Sequence, residues 1–250
     1  MAFLVLIALA LLALVMKLVA MLWLGTSTRT NRVFLFLPVL SPTSLRRFRT
    51  RGELPGLIRR AILLLGAILL SYWGFWSLVR VLQVHGLLLN YLGVVILLLV
   101  TELLAALFPF LWLPGGRLLP ALHRNPWRAR SLADFWGRRW NLWFSDWFRY
   151  TMFTRMRRRP VLALLLVFAV SGLMHEWGIN VPLYFVTGRN LFGSMMVYFL
   201  LQAAGMLFER RYLKNCPRMM MLFVWLVVVM PAPLVVNEGM LRTLYLWPEP

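Results

Sequence analysis

The stretch from Val161 to Phe185 reads VLALLLVFAVSGLMHEWGINVPLYF. Its first half is unbroken hydrocarbon, and a bilayer core of about 30 Å takes about 20 helical residues to cross. In lipid only a helix or a closed barrel satisfies its own backbone groups. The stretch therefore reads as a transmembrane helix, and it decides for a helical membrane fold. The exception to its apolarity comes late. At about 1.5 Å per residue, His175 lies roughly 20 Å from the start of the span. Glu176 stands beside it and Asn180 one turn beyond Glu176. Charged groups at that depth cost about 3 kcal/mol each on insertion scales, so they line cavities or find partners.

Working outward, five more segments have the same character: Met1 to Leu24, Ala61 to Leu82, Leu87 to Leu113, Leu191 to Phe208 and Met219 to Val236. They predict an all-α polytopic integral membrane protein with about six transmembrane helices, forming a single membrane-embedded domain over residues 1–250. The first run lacks a basic leader and a small-residue cleavage site, so it reads as a retained helix. Val33 to Leu40 is too short to span and is interrupted by Pro38; it reads as an interfacial or re-entrant piece.

Composition agrees, with 61% hydrophobic residues where a soluble domain has about half. A net charge of +19 in a soluble chain points to nucleic acid, but here the cations are sorted. Residues 25–60, 114–160 and 209–218 hold 23 of the 27 Lys and Arg residues, and these segments share one side if every span crosses. That is the positive-inside pattern. It predicts a multi-pass protein with both termini outside the cytoplasm, in a bacterial inner membrane by preference, and no nucleic-acid partner. The lone Cys216 excludes an intramolecular disulfide. No metal-ligand spacing or nucleotide-binding glycine loop occurs, so neither a metal nor a tightly bound cofactor is expected.

The segment SLADFWGRRWNLWFSDWFRYTMFTRMRRR (Ser131 to Arg159) opens with Ser131 and Asp134 at the spacing of a helix-capping box. On a helical wheel Trp136, Trp140, Trp143 and Trp147 fall within an arc of about 60°. Asp134, Arg138, Asn141 and Ser145 lie opposite. Such a helix rests in the headgroup layer, where indole is favoured. Its mixed polar stripe, centred on Asn141, also suits a hydrogen-bonded network facing the protein interior.

Ser171, Gly172 and Gly178 share the His175 side of their helix and leave room there for another helix or a substrate. Glu176 projects about 100° away, better placed to lock neighbouring helices. A neutral imidazole carries one donor and one acceptor nitrogen, which suits a general base; the competing reading is a structural histidine bonded to a neighbouring helix. Glu102, inside LLVTELLAAL, either lines the same chamber, pairs with Arg80 or stays protonated. Spacing assigns no role to His85 or His123.

Two of these strings, SLADFWGRRWN (Ser131 to Asn141) and SGLMHE (Ser171 to Glu176), resemble the wax-synthase branch of the membrane-bound O-acyltransferase family, in the family's order. The resemblance covers about residues 125–210; the first 120 residues match mainly in hydropathy. It implies an acyl-CoA:alcohol O-acyltransferase, with the family's asparagine on Asn141 and its histidine on His175. Acyl-CoA is then the co-substrate and a lipophilic alcohol the acceptor. Arg138, Arg139 and Trp140 become candidates for holding CoA, and Ser171, Gly172, Glu176, Asn180, Glu102 and Asp134 for lining the substrate space. O-acetylation of a glycan or small hydroxylated metabolite stays open, as does, in another class, a proton-coupled transporter relaying through His175, Glu176 and Glu102. The family's chains are often longer, which implies a reduced core, a homo-oligomer or a supporting membrane partner here.

Overall fold

A computed structural model describes residues 1–24, 40, 50–115 and 118–248. The long apolar runs become helices α1 (Ala2–Leu24), α2 (Leu54–Leu82) and α3 (Leu87–Leu107). Then follow a short α4 (Leu142–Phe148), α5 (Pro160–His175) and α6 (Val181–Thr187). The chain closes with α7 (Ser194–Phe208), α8 (Pro217–Val229) and α9 (Glu238–Thr243). Among the described residues there is no strand. Pro55, Pro160 and Pro217 each stand in the first turn of their helix, where a missing N–H costs nothing. The piece from 33 to 40 lies outside the described residues except for Leu40.

Among the described residues, five helical segments are long and apolar enough to cross a membrane: Ala2–Trp23, Arg51–Leu82, Leu87–Leu111, Pro160–Thr187 and Pro217–Leu234. The sixth expected span differs. α7 has 15 residues, about 22 Å of helix, and runs on as a wide π-helical turn, Glu209–Leu213. Its start is set by tertiary contact. The Glu176 carboxylate accepts the N–H groups of Gly193 (2.9 Å), Met195 (2.9 Å) and Met196 (3.2 Å), so the helix begins at Ser194 and not at Leu191.

α2 and α3 form an antiparallel hairpin. That register places Glu102, late in α3, against Arg60, early in α2, and the two make an ion pair. Arg80, the partner expected from sequence, is at the wrong end of the hairpin to reach it. α5 packs directly on α7: a Cβ on Gly172 would stand 2.9 Å from the Met196 Cα. Gly178 meets Leu9 of α1. Both glycines therefore admit a neighbouring helix, and neither opens substrate space.

The segment from Ser131 is not one amphipathic surface helix. The Ser131 side chain does cap it, accepting from the Asp134 N–H at 2.9 Å. One helical turn (Leu132–Asp134) and a π-helical turn (Phe135–Arg139) follow. The helix then breaks, with Trp140 extended and Asn141 left-handed at φ 40°. The cause is the preceding loop. Arg124 N–H donates to the Arg139 carbonyl and Leu142 N–H to the Leu122 carbonyl, both at 2.8 Å, taking backbone groups that a continuous helix needs. The tryptophans go inward. Trp147 Nε1 donates to the Met16 carbonyl of α1 at 2.8 Å, and Trp143 Nε1 to that of Pro120 at 3.3 Å.

Candidate active site

Beneath this break lies a cavity of about 410 Å³, walled by α3, the Trp136–Asn141 stretch, α5, α7 and α8. Of the candidate site residues named from sequence, it brings together His175, Asn141, Trp140 and Ser171, with Trp136 and Ser145 of the same segment as Asn141. The wall is otherwise overwhelmingly apolar and aromatic.

His175 ends α5. Its Nδ1 lies 2.7 Å from the Ser171 carbonyl oxygen one turn earlier, and a carbonyl only accepts, so Nδ1 carries the proton. Nε2 is left with a free lone pair, and among the described residues nothing bonds to it. The ring is set against Phe199 of α7, centroids 4.4 Å apart and tilted by 41°. A histidine satisfied by a neighbouring helix was the competing expectation; the bond is instead to its own helix, and the outward nitrogen stays open. Immediately after it the helix widens into a π-helical turn, Glu176–Asn180, a feature that recurs at functional sites.

Asn141 is the N-cap of α4. Its Oδ1 accepts from the Phe144 N–H at 3.4 Å, while Nδ2, with two donor hydrogens, has no partner among the described residues. The arrangement therefore sets an unspent base and an unspent donor on one apolar cavity. Of the four hydroxyls on the same wall, all but that of Ser171 are committed to backbone carbonyls: Thr101 to Leu98 (2.9 Å), Ser145 to Gly137 (3.0 Å) and Tyr198 to Val228 (3.2 Å).

The remaining candidates lie off the cavity. Asp134 is a buried clamp: Arg139 Nε (2.6 Å), Arg138 Nε (3.1 Å) and the Arg130 N–H (3.2 Å) converge on it. Burial alone would raise its pKa, but those donors and charges hold it below the usual carboxylate value. Arg139 also binds the carbonyls of Arg124 and Asn125, while the Arg138 side chain is 71% exposed. Asn180 Nδ2 donates to Glu176 (2.6 Å) and Ser194 (3.2 Å), and its Oδ1 accepts from Asn237 Nδ2 at 3.0 Å. Glu176 and Asn180 thus join α5, α7 and the start of α9. Glu102 is 2% exposed beside the cavity-lining Thr101. Among the described residues no group of three or more acidic, His or Cys side chains could hold a metal.

Three contributors carried no signal in the sequence. Phe199 and Tyr198 sit in an ordinary apolar run. His123 lies in a loop with no motif spacing, yet its Nδ1 accepts the Asn141 backbone N–H at 3.0 Å.

Residues 119–201 match the model of the Membrane bound O-acyl transferase family. The chain is 45% identical over 62 residues to a long-chain-alcohol O-fatty-acyltransferase of Simmondsia chinensis, covering 21% of this chain and 18% of that one. It is 34% identical over 97 residues to a probable long-chain-alcohol O-fatty-acyltransferase 7 of Arabidopsis thaliana, covering 35% and 27%. A diacylglycerol O-acyltransferase 1 of Dictyostelium discoideum is 30% identical over 117 residues, covering 46% and 18%. The chain thus spans between 18% and 27% of the length of these curated relatives.

Proposed function

We propose that this protein, whose residues 119–201 match the model of the Membrane bound O-acyl transferase family, esterifies a lipophilic alcohol with a fatty acyl group taken from acyl-CoA. The observation that carries the reading is the pairing on one apolar wall of an unspent His175 Nε2 and an unspent Asn141 Nδ2.

In this reading Nε2 takes the hydroxyl proton of the alcohol as its oxygen attacks the thioester carbonyl carbon. The new C–O bond forms, and Asn141 Nδ2 donates to the carbonyl oxygen as negative charge develops there. The C–S bond then breaks, and the departing thiolate recovers the proton from the imidazolium to leave free CoA. General-base assistance is worth about 10² to 10⁴ in rate, and one oxyanion donor about 3 kcal/mol.

The acceptor class follows from the wall. A glycan would bring many hydroxyls against a largely apolar wall whose Thr101, Ser145 and Tyr198 hydroxyls are already committed, and unpaired buried polar groups cost about 1–3 kcal/mol each. A single hydroxyl on a hydrocarbon chain leaves nothing unpaired. The basic cytoplasm-side segments, Arg138 among them, would attract the CoA phosphates.

The test is CoA release by purified protein offered acyl-CoA and a panel of alcohols, with His175→Ala and Asn141→Ala alongside. Turnover is expected with long-chain alcohols, reduced at least about 100-fold in each variant. Full turnover by folded His175→Ala would overturn the mechanism. Solute uptake into vesicles without thioester consumption would favour a transporter.

A further inference from the structure

The residues from Leu122 to Arg124 run beside those from Arg139 to Leu142, and the two strands of backbone exchange bonds at both ends. Between those bonds the partner of the Asn141 N–H is a side chain. His123 Nδ1 accepts it at 3.0 Å, and the imidazole lies against the Trp140 indole with centroids 4.3 Å apart and planes 28° apart. One loop side chain thus supports both Trp140 and Asn141, which line the cavity, without lining it itself.

Asn141 needs such support. Its backbone is left-handed, a conformation that asparagine adopts more readily than other side-chain-bearing residues but that is still sparsely populated and is held by its surroundings. The helix break has also removed the carbonyl its N–H would otherwise use. Resting on the assignment of Asn141 to the site, we infer that His123 is a positioning residue: its Nδ1 and ring hold the turn that presents the Asn141 amide to the cavity. The imidazole must accept at Nδ1, so its proton sits on Nε2, which is buried and unpartnered among the described residues. Burial, and then the nearby Arg60 charge, push its pKa down to about 4, so the accepting lone pair is present at neutral pH.

The experiment is a kinetic cycle of His123→Ala, His123→Asn, Asn141→Ala and the double variant His123→Ala/Asn141→Ala, with thermal unfolding of each in detergent. Asparagine keeps an acceptor oxygen near the place of Nδ1. His123→Ala is expected to lower kcat by at least about tenfold, with KM for acyl-CoA little changed, and His123→Asn to recover most of it. In the Asn141→Ala background, removing His123 is expected to cost no more than about twofold, since non-additivity marks residues acting through one another. Equal losses in both backgrounds, or an alanine variant as active as the parent, would overturn the inference. If the parent protein released no CoA, the functional reading would fall, and the positioning role would be decided by nitrogen–proton correlation spectra of asparagine-labelled protein. The Asn141 amide proton is then expected far downfield in the parent and in His123→Asn, and shifted upfield in His123→Ala; an unmoved resonance would sink the inference.

Discussion

At the scale of single residues, His123 gives the protein a pH signature that is separable from its other titrations. The imidazole ordinarily titrates near 6.5 and in the fold near 4, so between those values the unfolded chain binds a proton that the folded one refuses. Stability from this group is complete above about pH 6.5 and is lost as pH falls towards 4, by at most about 3 kcal/mol. Asp134, held below its usual value, loses its contribution only below about pH 3.8. Glu209 is raised by burial against the N–H groups it accepts, so its effect runs in the opposite direction above pH 4.5. Unfolding midpoints of the parent and His123→Asn, compared from pH 7.5 to pH 4.5, isolate the histidine. The parent is expected to lose stability more steeply on acidification; parallel curves would mean that His123 titrates normally. Nothing around His123 in the chain announces this, because its partner is 18 positions away and joined to it only by the pairing of two loops. His175 was legible for the opposite reason: a polar group in a hydrocarbon run stands out without any partner.

Elements show where periodicity misleads. The tryptophan spacing from Trp136 to Trp147 fits an unbroken helix, and the capping of Ser131 by sequence rule is correct. The left-handed Asn141 is invisible to the pattern, since tertiary hydrogen bonds to residues 122–124 impose it. Glu176 is a second case. Reading it as a lock between helices matches its three backbone N–H donors at the start of α7; the sequence could not say which helix it locks. Glu176→Ala would leave those three backbone donors without their acceptor, while Asn180 keeps Ser194 and Asn237, and at about 1–3 kcal/mol per unpaired buried donor a loss of at least about 3 kcal/mol is expected. Glu176→Gln keeps an acceptor, and its folded fraction is expected to retain kcat while melting earlier. A large fall in kcat per folded Glu176→Gln molecule would instead move the carboxylate into the chemistry.

For the whole molecule, hydropathy and charge together outlined most of the architecture: five segments of spanning length and a short sixth helix, with the cations gathered in three of the connections. Helix pairing was not legible, and Glu102 chose Arg60 because hairpin register, not proximity in sequence, decides contact. Orientation is testable with the one cysteine the chain carries. Cys216 is exposed between α7 and α8, in the basic connection expected on the cytoplasmic side. A membrane-impermeant maleimide is expected to label it in inverted vesicles and to spare it in intact cells; the reverse pattern would invert the topology. The helix just before that cysteine has a larger consequence. α7 touches His175 through Phe199 and the tryptophan arm through Gln202, which accepts from Trp136 Nε1, and the π-helical turn that continues it reaches the start of that arm through Glu209, which accepts the Leu132 N–H. Its N-terminus is fixed by the residue next to His175. α7 is therefore a ruler: the separation between His175 and the arm that carries Asn141 is written in its residue count, and one residue added or removed would shift that spacing by about 1.5 Å and turn the far contacts by about 100°.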